Sequence, residues 1–191
     1  MDKEDIILRD TLKKFNDLTD KEFDQFLSIS QRQNFKKKEY LLREGHYHHG
    51  LYFVIDGTVG LFELTDGKEN YLDFFLPTGF ATDLESLTSQ NISRKNLIAL
   101  SDCKTFYIPR KELLQLYEVS PAYDRLGRKM LEHIVTEQHK LTSVIKSLVP
   151  KEQYAYIEEN RPELLQKVSL KHLASYLGLA RETLSRIRAK Q

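Results

Sequence analysis

The chain has 191 residues, of which 40% are hydrophobic and 30% charged, and a net charge of +1. That composition supports a folded core, in one large domain or two small ones. Its longest apolar runs, at 51–55 and 72–76, are strand-sized and far short of the roughly 20 residues needed to cross a bilayer, so no membrane partner is expected. The lone Cys103 excludes an intrachain disulfide, a four-thiolate iron–sulfur cluster and a Cys-only zinc site, and it reads as an inert core residue. Residues 1–9 lack the apolar stretch of a secretory leader, which makes the cytoplasm the expected compartment.

At the N-terminus, Ile6, Ile7, Leu8, Leu12 and Phe15 recur at helical spacing. Thr19, with Glu22 three residues on, forms a capping box that opens a second helix through Leu27. From Phe35 to Tyr107 the pattern changes to short β-type runs at 51–55, 59–64 and 71–76, divided by Asp56-Gly57, Asp66-Gly67 and Pro77-Thr78-Gly79. Gaps this short leave no room for helical crossovers, which predicts an antiparallel barrel or jelly roll.

Pro109 suits the first turn of a helix carrying Leu113, Leu114, Leu116 and Tyr117, and Pro121 opens another. The latter is long. From 122 to 148 no proline interrupts it, and Leu126, Met130, Ile134, Leu141, Ile145 and Leu148 repeat at spacings of three, four or seven, as in a coiled-coil seam. About 27 helical residues extend roughly 40 Å, more than a small β-roll is wide, so part of this stripe is expected to meet a second copy of the chain. Pro150 then opens a further helix, which Arg161-Pro162 breaks.

The basic charge is concentrated at the end. Residues 167–191 hold six Lys or Arg against the single acid Glu182, while the remainder carries 23 basic and 27 acidic residues. Inside this segment Ser169 is a good N-cap, and Leu170, Leu173, Ala174 and Leu177 form one apolar face. Gly178 ends that helix, and Leu184 and Ile187 give the apolar face of a second one starting near Ala180 and running to Lys190. A small residue in the first helix and a glycine in the turn are what a helix-turn-helix requires. The polar face left over, Arg181, Glu182, Ser185, Arg186 and Arg188, suits guanine, cytosine and phosphate.

The run Arg181-Glu182-Thr183-x-x-Arg186 resembles the recognition helix of the Crp/Fnr regulators. The segment from Glu44 to Gly67 resembles that family's opening strands, and the helix after Pro121 its dimerisation helix. The resemblance implies an α+β chain: a β-roll sensor domain at 1–120, resembling a cyclic-nucleotide-binding domain, a dimerisation helix at 121–149 and a DNA-binding domain at 150–191. It further implies a homodimer on palindromic double-stranded DNA, with RNA polymerase as a further partner. Arg181, Glu182 and Arg186 would read base edges and Thr183 would touch phosphate, with Ser185 beside them.

Three departures from the family pattern stand out. Ala180 replaces the usual Ser or Thr at the helix start, removing a side-chain cap worth about 0.5–2 kcal/mol. The sequence ends at Gln191, just after the second helix, so lower DNA affinity is expected. In the nucleotide cassette, Thr82-Asp83 stand for the family's Gly-Glu and Ser93 for its phosphate-pairing arginine, with Arg94 one place late. Without a bidentate guanidinium a cyclic phosphate loses its main contact. A small-molecule or nucleotide effector at Thr82, Asp83, Ser93 and Arg94 is therefore left open, but tight cyclic-AMP binding is not expected.

Two other readings remain. His46-Tyr47-His48-His49 before the β-roll suggests a cupin-type metal site, with Pro77-x-Gly79 mimicking its second motif. The required Glu falls in the apolar run 51–55 and no His lies between Gly50 and Leu131, so no metal is expected and the histidines read as a solvated polar turn. A cyclic-nucleotide-binding adaptor without DNA function is the other, and the basic C-terminal motif argues against it. No nucleophile elbow, phosphate-cradling Gly-rich loop or paired acid and base occurs, so no catalytic residue is expected.

Overall fold

The computed structural model describes residues 1–189. Two helices, α1 (Lys3–Lys13) and α2 (Asp20–Ile29), precede the sheets. The Thr19 capping box forms in both directions: the Glu22 amide donates to Thr19 Oγ1 at 3.3 Å and the Thr19 amide to Glu22 Oε2 at 2.9 Å.

The strands are β1 (Gln31–Phe35), β2 (Tyr40–Leu42), β3 (Gly50–Asp56), β4 (Val59–Thr65), β5 (Lys68–Phe75), β6 (Phe80–Ala81), β7 (Lys95–Ala99) and β8 (Cys103–Pro109), with α3 (Leu84–Ser89) between β6 and β7. They form two four-stranded sheets, ordered β1-β8-β3-β6 and β2-β7-β4-β5, with antiparallel pairing throughout. Two turns show why glycine was needed. At the β4–β5 hairpin Asp66 and Gly67 both take positive φ, 51° and 72°, the pattern of a two-residue type I′ turn. Gly57 sits at φ +95°, where an added Cβ would lie 2.4 Å from the Asp102 carbonyl.

After the sheets come α4 (Arg110–Val119), α5 (Pro121–Ser147), α6 (Pro150–Asn160), α7 (Pro162–Lys167), α8 (Leu170–Tyr176) and α9 (Arg181–Arg188). Pro109 closes β8 and precedes α4, rather than lying in its first turn as the sequence suggested. Pro121 does open α5, behind Ser120, whose hydroxyl accepts from the Ala122 amide at 3.2 Å and donates to Glu22 of α2 at 2.7 Å.

The apolar side chains divide into three cores. Leu41, Val54, Val59, Leu61, Leu97 and Cys103 fill the space between the sheets. Leu8, Phe23, Phe53, Phe106, Tyr123 and Leu126 join the outer face of the first sheet to the N-terminal helices, α4 and α5. Phe62, Tyr71 and Phe74 on the outer face of the second sheet pack on Ile157, Leu164, Leu173 and Leu184 of the C-terminal helices. The unbroken run in β3 follows from this layering: Leu51, Phe53 and Ile55 face the helices, while Tyr52 and Val54 face the other sheet.

Of the stripe expected as a dimer seam on α5, one residue is buried within the chain and the other five are half-buried. Leu126 is 2% exposed in the helical core with Met130 packed against it, and Leu141 packs on the core of the C-terminal helices. Ile134, Ile145 and Leu148 are half-buried. The apolar residues that α5 turns outward are Leu131 and Val135, 43% and 46% exposed. Periodicity reveals that a helix has an apolar face, but not which layer covers it.

Candidate nucleic-acid interface and ligand cavity

Ser169 caps α8, its hydroxyl accepting from the His172 amide at 3.2 Å. The turn after α8 is a Schellman motif: the Gly178 amide donates to the Ser175 carbonyl at 3.1 Å and the Leu179 amide to the Ala174 carbonyl at 2.8 Å, with Gly178 at φ +66°. This left-handed residue reverses the chain and sets α9 across α8, with Leu173, Ala174, Leu177 and Leu184 buried between them. Ala180 leads into α9 without a side-chain cap, as its methyl group requires.

The buried Leu184 and half-buried Ile187 fix which side of α9 faces out. Arg181, Glu182, Ser185, Arg186 and Arg188 are exposed on that side, and Thr183 is half-buried at its margin. Arg186 Nε reaches the Glu182 carbonyl at 3.4 Å. A polar, cation-rich helix face of this kind offers bidentate donors from Arg181 and Arg186 and an acceptor from Glu182. Lys190, expected at the end of this helix, lies outside the described residues.

A second site lies in the β-roll. A cavity of about 910 Å³ opens between the β5–β6 turn, α3, α5 and the C-terminal helices. Thr82 and Asp83 line it, as the sequence suggested, and Ser93 donates to Asp83 Oδ2 at 2.7 Å. Arg94 does not join them. It is exposed, and the cation beside Asp83 in the cavity wall is Lys95, whose Nζ meets Asp83 at 3.1 Å and Glu85 at 2.8 Å. A tight local turn explains the correction: just before β7 the Ser93 hydroxyl accepts from the Lys95 amide and faces its carbonyl, both at 3.0 Å, and Arg94 stands outward at the bend between them. Burial works against the Lys95 charge, but the hydrogen bonds it donates to Glu85 and Asp83 outweigh it and raise its pKa.

The histidine cluster is not a solvated turn throughout. His48 is buried, its Nε2 at 2.9 Å from Thr82 Oγ1, and burial pushes its pKa down to about 4. His46 is exposed beside the Glu44 carbonyl, and His49 stacks on Tyr47. His46 and His48, the pair a cupin-type site would use, differ in burial, one exposed and one buried, and among the described residues no three His, Cys, Asp or Glu side chains gather as metal ligands would. Cys103 is buried in β8, where burial raises its thiol pKa.

Residues 32–120 match the family model described as the cyclic nucleotide-binding domain. No curated protein sequence matches the chain. Among solved structures it is similar to FixK2 from Bradyrhizobium japonicum, at 19% identity and TM-score 0.71 over 85% of this chain and 84% of that one. It is also similar to the c-di-GMP-responsive global regulator CLP of Xanthomonas campestris, at 22% identity and TM-score 0.70 over 90% and 91%. A Crp/Fnr-family transcriptional regulator from Eubacterium rectale superposes with TM-score 0.69 at 17% identity, over 91% and 83%. Residues 32–120 thus match a cyclic nucleotide-binding domain, and the chain has the fold of these solved regulators.

Proposed function

We propose that the protein is a sequence-specific DNA-binding transcription regulator, acting in the cytoplasm as a homodimer. The observation that carries this reading is the outward polar face of α9, held by the Schellman turn at Gly178 and anchored by Leu184. Arg181 and Arg186 donate to guanine, Glu182 accepts from cytosine, and Thr183 and Ser185 stand near the phosphate backbone. The units of this reading are a sensor at 1–120, a dimerisation helix at 121–149 and a DNA-binding domain at 150–191. Leu131 and Val135 supply the outward apolar surface for the second copy. RNA polymerase is the further partner through which such a regulator acts.

Two features fit a regulator rather than a catalyst or a membrane protein. The neighbours in fold are transcription regulators, and among the described residues no helix is long and apolar enough to cross a membrane. Thr82, Asp83 and Lys95 line the effector cavity with Ser93 bonded behind Asp83, and the Lys95 ammonium is already held by two carboxylates. Its effector is accordingly not cyclic AMP at high affinity.

Selection of bound sequences from a random DNA pool tests the reading. A dimer carries two reading helices one helical turn apart, so a palindrome with half-sites about 34 Å between centres is expected. Recovery of a pool with no enriched sequence would set the proposal aside.

A further inference from the structure

The contact between the β-roll and the C-terminal helices is largely apolar, with a half-buried polar knot at its margin. Arg161, between α6 and α7, donates through Nη1 to Asp73 of β5 at 3.2 Å and to the Tyr176 hydroxyl at 2.7 Å, and through Nη2 to the Phe74 carbonyl at 2.8 Å. Burial pushes the Asp73 carboxyl upward, and the Arg161 charge opposes it. A second polar contact lies alongside. Ser175 of α8 accepts from the Tyr71 amide at 3.0 Å and donates to the Glu69 carbonyl at 2.9 Å, so α8 covers the free edge of β5, the outer strand of its sheet. The His172 ring stacks on Tyr71 with centroids 4.5 Å apart.

We propose that the Asp73–Arg161 pair is a latch that fixes the angle at which the β-roll presents the helix-turn-helix. The link between α5 and α6 is the extended pair Leu148 and Val149, with ψ 146° and 157°, a two-residue joint able to turn once the latch opens. Separating Asp73 from Arg161 within the apolar contact would strand a charge, so the junction is either closed with both groups paired or open with both in water. The closed form leaves the polar face of α9 in solvent, so the latch does not cover the reading helix. Its effect is on orientation. Two helices that must enter successive grooves together lose less freedom on binding when each is already held at a fixed angle. The latch forms part of the cavity wall, with Asp73, Arg161 and Tyr176 all lining it. This inference rests on the DNA-binding reading above for its functional arm, whereas its structural arm stands on its own.

The test uses the full chain with Asp73→Asn, which alters the β-roll side and leaves the helix-turn-helix sequence intact, and Ser175→Ala as a second, independent break. Hydrogen exchange at the Tyr71 amide reports docking directly, because that amide bonds to Ser175 across the junction. Asp73→Asn should exchange roughly tenfold faster there, whereas Ser175→Ala removes that amide's own acceptor and is read by DNA binding alone. Both should also bind the full palindrome about five- to tenfold more weakly while keeping half-site affinity within about twofold. Unchanged exchange at Tyr71 would overturn the latch, and so would an equal loss on half-site and palindrome, which marks a damaged reading helix instead. A wild-type chain that selects no DNA would remove the functional reading, yet faster Tyr71 exchange in Asp73→Asn would still establish the latch.

Discussion

Ser93 donates its hydroxyl proton to Asp83 at 2.7 Å, and these two residues stand where the resemblance expects the phosphate-pairing arginine and the ribose glutamate. Asp83 also holds Lys95, which is shared with Glu85. A cyclic phosphate entering here meets two carboxylates and an ammonium already engaged. Calorimetry with cyclic AMP should therefore give no submicromolar binding. Submicromolar affinity would show that Lys95 leaves its carboxylates for the phosphate.

The buried His48 gives the fold a pH dependence. Burial lowers its pKa to about 4 from 6.5, so the native state keeps the imidazole neutral while the unfolded chain protonates it. Its contribution is complete above the unfolded value and declines as pH falls toward about 4, a loss of about 3 kcal/mol over the whole window. Urea unfolding of the wild type and His48→Phe, each near neutral pH and near pH 5, isolates this part of the slope. The wild type should lose more stability than the variant between the two conditions. An NMR titration placing His48 near its ordinary value would contradict the account.

Two glycines with positive φ should respond differently. At Gly178 nothing lies within 4 Å of an added Cβ, so Gly178→Ala should cost only the left-handed backbone penalty, about 1–2 kcal/mol, and Gly178→Asn less. At Gly57 the same change drives a Cβ against the Asp102 carbonyl and Cys103, and the destabilisation should be larger. Thermal or urea unfolding of the three variants gives the order, and Gly178→Ala being the most damaging would refute it.

Association should depend on the outward face of α5. Leu131→Glu or Val135→Glu should turn the dimer into a monomer at micromolar concentration in sedimentation with the fold intact, whereas Leu126→Ala should chiefly lower stability, by about 2–5 kcal/mol. Leu131→Glu sedimenting as a wild-type dimer would show that another surface joins the copies.

Much of the architecture was legible because its signals are local. Asp66-Gly67 announces a hairpin turn, Thr19 and Glu22 a capped helix, and Ser169, Ala174 and Gly178 a helix-turn-helix, since each depends on residues a few positions apart. What stayed hidden depends on long-range closure. Lys95 meets Asp83 only once the segments after β6 and before β7 are brought together, 12 positions apart. His48 lies next to a polar sequence neighbourhood, yet the fold buries it against Thr82, 34 positions away. Arg161 read only as the residue before a proline, and its partner Asp73 comes from a strand 88 positions earlier.

The measurement closest to the central claim is the base preference of the wild type, Arg181→Ala and Arg186→Ala on the selected palindrome and its single-base variants. Each substitution should cost about 1–3 kcal/mol on the preferred site and relax discrimination at one position of each half-site. Loss of affinity without loss of preference would reassign that arginine to phosphate. Wild-type affinity and wild-type preference in both variants would contradict the assignment of α9 as the reading helix.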